Sequence, residues 1–169
     1  YMEHPGSAVR STAAWIVAQH ADWGDALALY FSKRLEVAGQ LPEGQHSQMA
    51  QLLSSLASAP AIQSLLLQTL AASERPASQK IAVQAIADCG LTTVPVAWLD
   101  AIARQLGVAK DAELRALIQA AQRLPLPKEG HAALRTQLAH IGSTPAVPDD
   151  LRLAALDAAG TPKEMMIWA

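Results

Sequence analysis

The stretch Ala77-Ser78-Gln79-Lys80-Ile81-Ala82-Val83-Gln84-Ala85-Ile86-Ala87-Asp88-Cys89-Gly90 returns four more times in degenerate form along the chain. With Lys80 as the reference, the residues three, four, six and seven positions later are Val83, Gln84, Ile86 and Ala87. The same frame fits Arg10, His46, Arg115 and Arg152, the Arg115 copy (Ile118, Gln119, Ala121, Gln122) being the weakest. These five anchors lie 36, 34, 35 and 37 residues apart. Offsets of three, four and seven fall on one stripe of a helix, so each copy is an amphipathic helix whose apolar face carries small residues. Small residues let helices pack closely. A period of this size leaves room for a second helix, the sequence signature of a helical solenoid in which each unit buries its face against its neighbours.

Composition agrees with an all-helical chain. The 169 residues are 51% hydrophobic and 17% charged, rich in Ala and Leu, with one Phe and two Tyr. That mixture can bury a core and favours helix over strand. Thirteen basic and 15 acidic residues give a net charge of −2 with no run of Lys or Arg, so long-range attraction to phosphate is weak and nucleic acid is not the expected partner. No apolar run reaches the roughly 20 residues that span a bilayer, and membrane insertion is not expected. A single cysteine, Cys89, rules out an internal disulfide and leaves the compartment open. The start at Tyr1 and the end at Ile167-Trp168-Ala169 lead us to expect a piece of a longer protein.

Turn and cap residues divide the chain into helix pairs whose units begin near residues 7, 43, 76, 110 and 148. Ser7 is placed to cap a helix reaching about residue 20, and Asp22 a second over about 23–37. Gly39, Pro42 and Gly44 form the connection to helices over about 45–58 and, after Pro60, about 61–72. The reference helix ends at Gly90 in a left-handed turn. Pro95 opens the next helix, with Trp98, Leu99, Ile102 and Leu106 on one stripe. Asp111 is expected to cap a helix to about Leu124, followed by one over about 129–141 that Gly142 stops, and Asp149 to cap a helix ending before Gly160. Thr161-Pro162-Lys163-Glu164 starts a further helix that five residues cannot complete. The apolar Met165-Met166-Ile167-Trp168 either packs back on the preceding helix or continues into following sequence.

The pattern of a polar or acidic residue, Val or Leu, Arg, two variable residues, then Ala-Ala resembles the HEAT family of the armadillo/HEAT superfamily. It is clearest at Asp149-Asp150-Leu151-Arg152-Leu153-Ala154-Ala155-Leu156 and Ala8-Val9-Arg10-Ser11-Thr12-Ala13-Ala14. The likeness covers nearly the whole chain, with a period shorter than the roughly 40 to 47 residues of standard HEAT units and with His46 and Lys80 in place of Arg, as in short bacterial HEAT-like arrays. Tetratricopeptide landmarks are missing. The resemblance implies a single domain over residues 1–169, a right-handed α-solenoid of about four and a half helix pairs with the second helix of each pair on the concave side.

No sequence motif carries chemistry. The five histidines, His4, His20, His46, His131 and His140, make no pair at three- or four-residue spacing, so no metal or other cofactor is expected. His20 with Asp22 and Asp25 reads as a helix C-terminus followed by a cap, and Cys89 as a small apolar residue. Gly-x-Ser-x-Gly, phosphate-cradling and dinucleotide motifs are absent, and this segment is not expected to be an enzyme. The candidate binding row comprises Lys33, Gln68, Arg104 and Arg135, one second-helix position per unit turned away from the apolar stripe; an ordinary solvated face is its plain alternative. Trp15, Trp23, Trp98 and Trp168 are assigned to core or inter-repeat packing. The expected function is a noncatalytic scaffold that binds a protein partner or neighbouring domains of its own chain. The alternatives are a spacer or docking segment of a larger bacterial enzyme, such as a propeller-type dehydrogenase with a haem domain, and nucleic-acid binding. Haem attachment within this segment would need a Cys-x-x-Cys-His, which it lacks.

Overall fold

A computed structural model describes residues 7–72, 74–127 and 130–160. Among them are nine α-helices and no strand: α1 (Ser7–Gln19), α2 (Gly24–Glu36), α3 (Glu43–Ser55), α4 (Pro60–Ala71), α5 (Pro76–Ala87), α6 (Val96–Leu106), α7 (Asp111–Arg123), α8 (Ala132–Ser143) and α9 (Asp149–Ala158). Short 3-10 turns at Ala21–Trp23 and Ala38–Gln40 flank α2. Pro60 and Pro76 are the first residues of α4 and α5, where a missing N–H costs no helical hydrogen bond. The expected elements at the two chain ends, including Met165 to Trp168, lie outside the described residues.

The chain forms two compact units, Tyr1–Leu91 and Thr92–Ala169. In the first, α1 packs on α3 and α3 on α5, while α2 packs on α4 and α4 on α5. Apolar side chains of α2 to α5, among them Phe31, Leu53, Leu66 and Ile81, are fully buried between them. In the second, α6 packs on α7 and α8, and α9 on α7 and α8, around Trp98, Leu99, Ile102 and Leu117. The position three residues after the anchor is the most consistently buried, filled by Met49, Val83, Ile118 and Ala155. The next position is not, since Gln84 and Gln119 face solvent.

Alternate helices run parallel. The start of α2 meets the start of α4, where Asp25 Oδ1 accepts the Ala61 N–H at 3.0 Å, and the C-terminal ends of both helices share one hollow. In the second unit Asp100 meets His131 at 3.1 Å, and a Cβ on Gly107 would lie 3.6 Å from Gln137 Oε1, so α6 and α8 point the same way. The contacts of Arg115 with Asp150 and of Gln122 with Asp157 set α7 and α9 parallel.

Several helix starts differ from the sequence expectation. Asp22 sits in a 3-10 turn beside His20, and α2 starts after Trp23 with no side-chain cap. Asp111 is itself the first residue of α7 and has φ +46°, far from the extended backbone an N-cap needs to turn its carboxylate onto the next N–H groups. Asp149 is already helical, and its carboxylate is held by Arg152 Nη1 at 2.9 Å. Helix α8 begins at Ala132, capped by His131. Gly142 does not stop α8 but lies within it, because α9 crosses so closely that a Cβ there would stand 2.4 Å from Leu156 Cγ. Gly90, by contrast, follows α5 at φ +60°, as a left-handed terminator should.

Packing is tightest between α2 and α4. A Cβ on Gly24 would lie 2.3 Å from Ala59 Cβ, a short, rigid group that cannot swing aside. Gly24→Ala should therefore lower stability by about 1–3 kcal/mol, as overpacking does. Chemical denaturation of Gly24→Ala, Ala59→Gly and the double variant measures this. The second substitution should recover part of the loss caused by the first.

Candidate functional site

The anchors serve the scaffold. Lys80 Nζ on α5 donates to Glu43 Oε1 on α3 at 3.0 Å, and Arg115 Nη2 on α7 bridges to Asp150 Oδ2 on α9 at 2.8 Å. His46 Nε2 donates to the Ala38 carbonyl at 2.8 Å, and Arg152 Nε to the Gly142 carbonyl at 3.1 Å. The Arg10 side chain lies outside the described residues.

All four candidate-row residues are exposed, on α2, α4, α6 and α8 in turn, and among the described residues none of their side chains has a hydrogen bond or ion pair. In the first unit, Gln68 lines an open hollow of about 180 Å³ between the C-terminal ends of α2 and α4 and the start of α5, with Ser32, Glu36, Thr69, Arg75 and Ser78. Lys33 stands outside that lining, because it is turned about 100° around α2 from Ser32. The hydroxyls of Thr69 and Ser78 are committed to the Leu65 and Leu35 carbonyls at 2.8 and 2.6 Å, leaving Ser32, Glu36, Gln68 and Arg75 as its open polar groups. Sequence reading missed this hollow, since its lining joins residues about 40 apart.

In the second unit the structure brings Arg104 and Arg135 together. His131 Nδ1 accepts the Leu134 N–H at 3.2 Å, capping α8, so the bare nitrogen is Nδ1 and Nε2 carries the proton toward Asp100 Oδ1 at 3.1 Å. The ring is largely buried, its side chain only 11% exposed. Protonation would turn the Asp100 contact into an ion pair but would take away the cap acceptor. Each arginine lies four residues beyond one member of this contact, hence one turn further along the same stripe of a parallel helix. The two guanidinium groups therefore occupy equal levels on neighbouring helices.

Other polar residues have structural explanations. The His20 ring stacks on Trp23 with centroids 4.2 Å apart and lies 3.7 Å from Asp22, while Asp25 is turned away to cap α4. Among the described residues no group of three His, Cys, Asp or Glu is arranged to hold a metal ion. Burial pushes the Cys89 thiol above its ordinary range, away from thiolate reactivity, with backbone hydrogen bonds only partly offsetting it. Trp98 is 1% exposed, as its stripe requires, but Trp15 at 66% and Trp23 at 40% are not core residues. Trp15 falls on the stripe Ala8, Thr12, Trp15 and Gln19, all exposed on α1, a pattern that small residues hide in a sequence reading. A second hollow, about 450 Å³, opens beside the starts of α7 and α9 between Lys110, Arg115 and Val147. No helix among the described residues is long and apolar enough to cross a membrane.

No family model, no curated protein and no solved structure matches this chain.

The Lys80 hydrogen bond, and then its charge, hold the Glu43 carboxyl below its ordinary 4.5, and Arg115 holds Asp150 below 3.8 in the same way. Because both values are depressed on folding, the bridges stabilise the fold fully above the ordinary carboxylate range and are lost as pH falls through the folded values. Carboxyl titration by NMR should place both midpoints below 4.5 and 3.8. Lys80→Gln should raise only that of Glu43 and Arg115→Gln only that of Asp150. Both pairs are exposed, so the effect on stability is small.

Proposed function

We propose that this chain is a HEAT-like right-handed α-solenoid of about four and a half helix pairs, and that it acts as a noncatalytic scaffold binding or spacing protein elements. The observation that carries the reading is the parallel packing of alternate helices, α2 with α4, α6 with α8 and α7 with α9. It is the arrangement expected when consecutive helix pairs stack in register. The recurrence of anchors every 34 to 37 residues supports it from the sequence side. Hollows that are open and shallow suit polypeptide partners better than enclosed small substrates. The second helices of the pairs would present the binding face, as the family resemblance implies, to a separate protein or to neighbouring domains of the same chain.

Capture of protein partners on the immobilised chain, followed by hydrogen exchange of the complex, tests this. The expected result is protection concentrated on α2, α4, α6 and α8. Binding of a labelled DNA duplex at 150 mM salt, with protection of those helices, would replace the reading with nucleic-acid recognition. Protection confined to the first helices of the pairs would reverse the assignment of the binding face.

A further inference from the structure

We propose that Arg104 and Arg135 form a two-pronged docking site for carboxylates, occupied by an acidic segment of a protein partner. The proposal rests on the scaffold reading above and names the chemistry of one part of its surface. The Asp100 to His131 contact fixes the register of α6 against α8, and each arginine lies one turn beyond it. Parallel helices in contact have axes about 8–10 Å apart. The two guanidinium groups thus flank one shallow strip of surface.

Both side chains are exposed and neither has an intramolecular partner among the described residues. The nearest acid on the stripe, Asp100, already accepts from His131 Nε2 and does not neutralise them. Arg135 folds over Gly130, whose Cβ position would lie 3.2 Å from its Cδ and 3.6 Å from Nη1, so its guanidinium is partly positioned by the backbone beneath it. Two like charges held at one level repel each other. An anion lying between them turns that cost into binding energy, and the planar guanidinium donors match carboxylate geometry.

The spacing fits a polypeptide. Acidic side chains two apart on an extended segment stand about 7 Å from each other, close enough for one segment to reach both arginines. Nucleic acid fits less well, because the single aromatic residue on α6 and α8, Trp98, is buried and gives no base a surface to stack on. The chain's net charge of −2 would also repel a polyphosphate beyond this local patch.

Fluorescence anisotropy with labelled hexaglutamate and labelled hexathymidylate, at 20 mM and 150 mM salt, tests the proposal on the full chain. Wild type should bind hexaglutamate in preference to hexathymidylate and more weakly at the higher salt. Arg104→Gln/Arg135→Gln should lose at least tenfold in affinity, whereas Lys33→Gln should not. The double variant should unfold at no lower denaturant concentration than wild type, since no internal contact is removed. Absent hexaglutamate binding, binding that survives the double substitution, arginine-dependent preference for hexathymidylate, or a less stable double variant would each overturn the proposal. A protein partner still captured on α2, α4, α6 and α8 in that event would leave the scaffold reading standing.

Discussion

Carbonyl groups at helix C-termini are the constraint on which this structure turns. The last four carbonyls of any helix have no partner within it, and leaving one buried and unsatisfied costs about 1–3 kcal/mol. Here the following helix supplies the donors. Ser78 and Gln79, side by side at the start of α5, reach the Leu35 carbonyl at the end of α2 and the Leu70 carbonyl at the end of α4. His46 on α3 reaches Ala38, and Arg152 on α9 reaches Gly142. Ser78 and Gln79 are among the few buried polar side chains, and no buried side-chain nitrogen or oxygen among the described residues is left without a partner.

This dependence explains why the anchors recur while their chemistry varies. The position needs a donor long enough to reach a carbonyl or a carboxylate on a neighbouring helix, and Arg, Lys and His all qualify. The partner differs from copy to copy: a carboxylate for Lys80 and Arg115, a carbonyl for His46, both for Arg152. A helix end at Ala71 is held by Gln79, one residue before the Lys80 anchor, so the task has shifted to a neighbour.

The sequence made the helices legible because their periodicity is a local property. Trp98, Leu99, Ile102 and Leu106 repeat at helical spacing and are buried together. Caps were read less well. Asp22, Asp111 and Asp149 have the right chemistry, but their roles depend on backbone angles and on His20 and Arg152 competing for the carboxylates. Gly142 has the composition of a helix stop and the function of a crossing point, a distinction made by Leu156 on another helix. Of the candidate row, the equal level of Arg104 and Arg135 follows from a contact between Asp100 and His131 that no single-helix pattern contains. The separation of Lys33 from Gln68 arises because a one-residue step turns a side chain by about 100°.

Gly24 and Ala59 carry a lesson about interchangeability. Repeat units are often pictured as modules that recombination can duplicate, delete or reorder. The near-contact of these two residues, together with the reach of Asp25 to Ala61, ties one helix pair to its own successor through shapes that no other pair in the chain reproduces. A duplicated α1–α2 unit would bring Gly24 against a neighbour lacking the matching Ala59. Such an array grows by copying adjoining pairs together, and its order is inherited as a whole.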